Sequence, residues 1–308
     1  MIDPTRAHAP HWLAIQRQGQ HNFVVVLSSQ EQQHSAGVIN YLSNRGIVVE
    51  SVPQLANTHT EVLIRCSSQE AWALFQSLLL IAREQEFDIA VLPVVSRKKK
   101  LMLCDMDSTI VSSETLDDIA ANVGIGTQVS EITTRAMRGE LDFRQALDQR
   151  VALLKGLSET VLSDVINTIS FNSGAEALLK QARLSGVRTI LVSGGFELIV
   201  KHVADTLGFD SYICNRIQLS EGKLSGKVIE PVVDSNTKRD TLREQCKEMG
   251  IELAESCCIG DGANDLAMLT TAGLGIDFHA KPIVKETTPY QINFSGLDFA
   301  LSIMGIAK

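Results

Sequence analysis

Two carboxylates one residue apart close an apolar run at Leu101-Met102-Leu103-Cys104-Asp105-Met106-Asp107-Ser108-Thr109. An apolar run of this length reads as a strand buried on both faces of a parallel sheet, and chemistry collects beyond the carboxyl ends of such strands. Asp105 and Asp107 have the same parity, so both can face one crevice. Carboxylates that close repel unless one takes up a proton or a cation sits between them. A hard, oxygen-seeking metal is expected, Mg²⁺ by default. A plainer use of the same residues is capping of the next helix by Asp107 or Ser108.

Three further clusters, each after a strand-like run or at a helix start, favour the chemical reading. Residues 188–192 run into Ser193-Gly194-Gly195 and a helix over 196–207, where a hydroxyl and backbone N–H groups can hold an oxyanion. Lys238 and Arg239 open a helix that runs to Met249, although cations ordinarily prefer a helix's last turn. A lysine aimed at a phosphate would explain the placement, and plain solvation is the alternative. Cys257-Cys258-Ile259 ends in Gly260-Asp261-Gly262-Ala263-Asn264-Asp265. There the glycines permit a sharp turn, and Asp261, Asn264 and Asp265 offer oxygen ligands and an amide.

The elements that must position these groups are legible from periodicity. Between Thr109 and the strand at 188 lie helical stretches over 114–122, 129–138, 143–154 and 159–168. A right-handed crossover needs one helix, so the surplus reads as a helical cap inserted at about 112–184 over the crevice. Residues 211–218 read as a strand, Gly222 and Gly226 as part of a hairpin, and 274–276 and 290–294 as later strands. A short helix from Leu297 closes the chain. Before the crevice, strands at 23–27, 47–49, 62–64 and 89–92 alternate with helices at 36–45 and 71–82. That βαββαβ order is ferredoxin-like. His59 and Glu61 stand on or near a strand with no evident partner. The run Arg97-Lys98-Lys99-Lys100 reads as a solvated linker, which puts a boundary between residues 1–96 and 97–308. The fold class is α/β: a Rossmann-like parallel sheet with a helical cap, preceded by a ferredoxin-like α+β unit.

Composition excludes several classes. A net charge of −8 over 308 residues argues against general nucleic-acid or membrane-surface binding. No apolar stretch reaches the ~20 residues a membrane helix needs. The six cysteines include no C-x-x-C pair, and three of them lie in strand runs as small hydrophobes. With no export signal evident in the polar, histidine-rich start (His8, His11, His21), a cytoplasmic, reduced location is expected.

Taken in order, D-x-D-x-T, S-G-G, the lysine and G-D-G-x-N-D resemble the haloacid dehalogenase-like phosphotransferase superfamily. Within it, Glu114-Thr115, residues 136–139, Phe143, residues 150–155, Phe196 and Ala280-Lys281-Pro282 resemble the phosphoserine phosphatase family. The first hundred residues resemble ACT-type small-molecule-binding domains. The resemblance implies Asp105 as nucleophile, forming an aspartyl-phosphate, and Asp107 as general acid and base. It implies Mg²⁺ on the Asp105 carboxylate, the Asp107 carbonyl and Asp261, with Asp265 behind them. Ser193, Gly194, Lys238 and Asn264 would hold the phosphate, Glu114 the substrate ammonium and Arg150 its carboxylate, under an apolar lid of Met137 and Phe143. The implied reaction is hydrolysis of O-phosphoserine to serine, the last step of serine biosynthesis. A homodimer and an amino-acid effector at the first unit are expected, with no nucleic-acid or membrane partner. Two other readings keep the same residues: a phosphatase or phosphotransferase acting on another small phosphorylated amine (transfer to homoserine, for example), and a non-catalytic amino-acid sensor.

Overall fold

A computed structural model describes residues 10, 20–28, 32–51, 59–138 and 140–306; His8, His11 and the side chain of Met137 lie outside the described residues. The first unit has the expected order: β1 (His21–Leu27), α1 (Gln32–Asn44), β2 (Val48–Ser51), β3 (Thr60–Cys66), α2 (Ser68–Glu84) and β4 (Ile89–Pro93). Its antiparallel sheet runs β2-β3-β1-β4. Phe23 to Leu27 in the interior strand β1 are all buried. In α2, Ala71, Leu74, Phe75, Leu78, Leu79 and Ala82 recur at helical spacing and bury one stripe against the sheet. Ser67 and Glu70 form a reciprocal capping box at its start.

The second sheet has seven strands in the order β11-β10-β9-β5-β6-β7-β8. They are β5 (Leu101–Cys104), β6 (Arg188–Phe196), β7 (Ser211–Ser220), β8 (Lys223–Ile229), β9 (Ser256–Gly260), β10 (Leu274–Phe278) and β11 (Tyr290–Ile292). All neighbours are parallel except β7 and β8, which form the expected hairpin. In β5, Met102 and Cys104 join one apolar cluster and Leu101 and Leu103 another. A strand covered on both faces has no polar side, hence the unbroken apolar run. From β5 the chain first builds outward through β6 to β8, then returns to β5's other side for β9 to β11. The crevice at that reversal, beyond the carboxyl end of β5, is where such sheets hold ligands.

Four helices follow β5: α3 (Thr115–Asn122), α4 (Gly126–Met137), α5 (Phe143–Ala152) and α6 (Thr160–Ile166). The next helix, α7 (Ala175–Leu184), packs against β6 and against the last helix, α12 (Phe299–Met304), and so belongs to the sheet as its crossover. The inserted helices therefore stop short of residue 184, near the bridge that pairs Val111 with Phe171. Amphipathic spacing alone does not say which body a helix packs on. Opposite that stalk, Gly156 N–H donates to Leu224 O and Leu224 N–H to Leu157 O, tying the α5–α6 loop to β8. Gly226 permits this approach: at φ +79°, a Cβ there would lie 2.9 Å from Lys155 Cβ. The remaining helices are α8 (Glu197–Leu207), α9 (Ser235–Met249), α10 (Leu266–Thr271) and α11 (Pro282–Lys285).

The basic run at 97–100 is not a solvated linker. Arg97 and Lys99 are buried, whereas Lys98 and Lys100 are exposed. Arg97 pairs with Glu61 on β3 and donates to the carbonyls of Ser302 and Ile303 in α12. Lys99 donates to Ser96 O and Ala254 O at 2.8 and 2.7 Å. Alternate residues of the run face inward, and apart from Ser96 their partners lie far away in sequence. Glu61 and His59 thus both have partners, His59 Nδ1 lying 2.9 Å from Ser302 Oγ. Asp88, before β4, accepts the backbone N–H groups of Asn293, Phe294 and Ser295. The Phe75 ring stacks on Tyr290 at 5.5 Å.

Candidate active site

Asp105 leaves β5 with its N–H still donated to Ile259 O on β9, at 2.9 Å. Its carboxylate turns into the crevice, where Lys238 donates to its Oδ1 and, at 2.7 Å, to Asp265 Oδ1. Lys238 sits in the first turn of α9, which Asp234 caps by accepting the Thr237 N–H at 2.7 Å. The helix dipole disfavours a cation there, and two buried carboxylates outweigh it.

Across the crevice, Asp265 ends the short turn Ala263–Asp265 and folds back on it. Its Oδ2 accepts the N–H groups of Asp261 (3.2 Å) and Gly262 (3.0 Å). Gly260 is required for this, since a Cβ at that position would stand 2.6 Å from Asp265 Cγ. Asp261 Oδ1 is 3.4 Å from Thr109 Oγ1, and its Oδ2 is 3.6 Å from Lys281 Nζ. Asn264 stands half-buried in the same turn.

Oxygens of Asp105, Asp261 and Asp265 lie within 4.8 Å of one another. Burial pushes the Asp105 carboxyl well above the ordinary carboxylate range, the charge of Asp265 adds to this, and Lys238 opposes it. Burial likewise lifts Asp261 to about 6. Burial works against the charge on Lys238, but Asp105 and Asp265 overcome it and hold the ammonium protonated. Three buried carboxylates around one ammonium leave excess negative charge, and an all-oxygen donor set of this kind fits a hard divalent cation.

Asp107 lies on the cap side of Asp105. Its Oδ1 accepts the N–H of Thr115, the first residue of α3, at 2.8 Å, and its Oδ2 lies 3.4 Å from Ser193 Oγ. Burial raises its pKa. Ser193 Oγ accepts the Gly195 N–H at 2.8 Å, and buried Asn215 holds Gly194 O. Sequence reasoning passed over Asn215, and also Asn172, whose amide donates to the carbonyls of Ser108, Thr109 and Val111 and fastens the turn after β5. Neither residue belongs to a pattern within its own segment.

On the cap, Glu114 precedes α3 and is met by Ser108 Oγ at 3.0 Å and Lys281 Nζ at 3.5 Å. Lys281 was visible only as part of Ala280-Lys281-Pro282, and its bridge from Asp261 to Glu114 links core to cap. Arg150 Nη2 donates to Asp117 Oδ1 at 2.7 Å, a partner the sequence did not single out. Phe143, at the start of α5, stays 48% exposed rather than packing as core.

A parallel sheet with a buried Asp–Lys–Asp cluster at its switch point, under an inserted helical cap, defines an aspartate-centred hydrolase. Residues 102–270 match the haloacid dehalogenase-like hydrolases, and the chain belongs to that family. It is 43% identical over 210 residues to the phosphoserine phosphatase of Streptococcus thermophilus, covering 68% of this chain and 98% of that one. A haloacid dehalogenase family hydrolase from Salmonella enterica serovar Typhi superposes with a TM-score of 0.82 at 26% identity, over 92% of this chain and 98% of that one. A phospho-aspartyl intermediate analogue of phosphoserine phosphatase superposes at 0.62 with 41% identity, over 67% of this chain and 98% of that one.

Proposed function

We propose that the chain hydrolyses O-phosphoserine to serine and inorganic phosphate through a phosphate ester of Asp105. The observation that carries this is the buried carboxylate of Asp105, held by Lys238 beside Asp261 and Asp265 at the end of β5. An Asp105 oxygen attacks phosphorus as the bond from phosphorus to the serine oxygen breaks. The departing oxygen takes a proton from Asp107, whose pKa burial raises. Asp107 then removes a proton from water, the water oxygen attacks the aspartyl-phosphate, and Asp105 and phosphate are released. Lys238, Ser193, the Gly194 N–H and Asn264 hold the phosphate oxygens. The Asp105 and Asp261 carboxylates and the Asp107 carbonyl would hold Mg²⁺, with Asp265 supporting; the ion would offset the charge that builds on the transferring group.

Glu114 reads the substrate ammonium and Arg150 its carboxylate, while Met137 and Phe143 supply the apolar lid. Residues 97–308 form the phosphatase, and residues 1–96 an ACT-like unit for an amino-acid effector and for pairing of two copies in the cytoplasm. Among the described residues no helix is long and apolar enough to cross a membrane. The test is phosphate release from O-phosphoserine, phosphothreonine, phosphoethanolamine and 3-phosphoglycerate, each with Mg²⁺ and with chelator. Mg²⁺-dependent preference for O-phosphoserine is the expected result. Equal rates across the panel would refute the substrate, and rates indifferent to chelator would refute the metal.

A further inference from the structure

Arg150 is anchored by a residue that the proposed reaction does not use. Its Nη2 is held by Asp117, while its Nε is buried with no hydrogen-bond partner among the described residues. Asp117 is the third residue of α3 and follows Glu114 by three positions. Glu114 is the cap residue just before that helix, so the anchor and the ammonium reader belong to one helix start. A helix-start carboxylate is accounted for by the helix dipole alone. That role, however, needs no guanidinium brought from another helix to charge-assisted hydrogen-bond distance. Val151, next to Arg150 on α5, is fully buried and fixes the backbone from which the guanidinium projects.

We propose that Asp117 is a positioning residue: it clamps one edge of the Arg150 guanidinium, so that the remaining donors stand ready beside Glu114 for the carboxylate of a substrate that also carries an ammonium. This deepens the O-phosphoserine reading and rests on it. A guanidinium already held by the protein has lost its rotamer freedom, so substrate binding does not have to order it. The charge of Asp117 opposes a second carboxylate, but its side chain is 45% exposed and solvent screens that repulsion. Ordering is not screened, and it wins.

The experiment is steady-state kinetics of wild type, Asp117→Ala, Asp117→Asn, Arg150→Ala and the double alanine variant. Each acts on O-phosphoserine, phosphoethanolamine and an aryl phosphate. Asp117→Ala should raise KM for O-phosphoserine about tenfold with kcat nearly unchanged, and leave the other two substrates alone. Asp117→Asn keeps an acceptor oxygen and should recover most of the loss. The double variant should match Arg150→Ala, because Asp117 acts through Arg150. A KM unchanged on O-phosphoserine, equal losses on all three substrates, or additive losses in the double variant would each overturn the proposal. Wild type without preference for O-phosphoserine over phosphoethanolamine would instead sink the functional reading, and the proposal with it, before any variant is made.

Discussion

The two walls of the crevice use the same kinds of charge in opposite ways. On the sheet side, Asp105, Lys238 and Asp265 are each at most 5% exposed at the side chain, and each bonds within the cluster. On the cap side, Glu114 with Lys281 and Arg150 with Asp117 are 20–50% exposed. Buried charges stripped of one partner are strongly destabilising, whereas half-exposed pairs contribute little and exchange partners readily. The sheet wall is therefore built for a fixed constellation that does chemistry. The cap wall leaves its charges half-exposed, with the long Lys281–Glu114 contact easily exchanged and the closer Asp117–Arg150 contact holding only one edge of the guanidinium.

The largest effect should come from the sheet wall. Asp105→Asn is nearly isosteric, keeps an acceptor oxygen and leaves Lys238 its pair with Asp265, so it should lower turnover by more than about a thousandfold with the melting temperature little changed. Normal turnover in that variant would erase the distinction between the walls. Lys238→Met leaves two buried carboxylates without their ammonium and should destabilise the fold by roughly 3–5 kcal/mol in metal-free buffer. Denaturant titration measures it, and a change like that of a surface lysine would show that the cluster is wetter than its burial implies.

A further buried acid sharpens the contrast, because it has a hydroxyl where Asp105 has an ammonium. Asp277, in β10, is 0% exposed, and burial lifts it to about 7. Thr288 Oγ1 is 2.6 Å from its Oδ2 and 2.8 Å from Val284 O. One hydroxyl proton serves only one of these acceptors, so a protonated Asp277 that donates to Thr288 completes the chain. The folded state then holds a proton that the unfolded chain releases near pH 4, and stability falls as pH rises from about 4 to 7. Asp277→Asn should remove that slope, gaining up to about 4 kcal/mol at pH 8 and almost nothing at pH 4. Parallel pH profiles for variant and wild type would count against it. Last, Arg150→Ala on the cap should cut kcat/KM for O-phosphoserine roughly a hundredfold while sparing an aryl phosphate. Equal losses on both would move Arg150 to the scaffold.

The sheet wall was the legible one. Its residues follow apolar runs or open a helix, and each cluster announces itself within about ten residues of sequence. The cap wall was legible only as far as resemblance carried it. Nothing near Asp117 marks it as the partner of Arg150, thirty-three positions away. The misreadings share that cause. Arg97 and Lys99 look like half of a solvated run because Glu61, Ala254, Ser302 and Ile303 are remote. Residues 175–184 look like cap because they precede the strand at 188, and place in the chain does not name what a helix packs on.

The loop after β11 gives the first sheet a standing that its place in the chain conceals. Its backbone N–H groups at 293–295 are satisfied by Asp88, and the ring stacked on Tyr290 is Phe75. A shortened gene starting at residue 97 would strip those donors of their acceptor, bare an aromatic face and leave Arg97 without Glu61. The described part of the first ninety-six residues is thus masonry for the half that carries the Asp105 cluster. Anything that loosens it is felt at α12 and at β11 without a messenger in between.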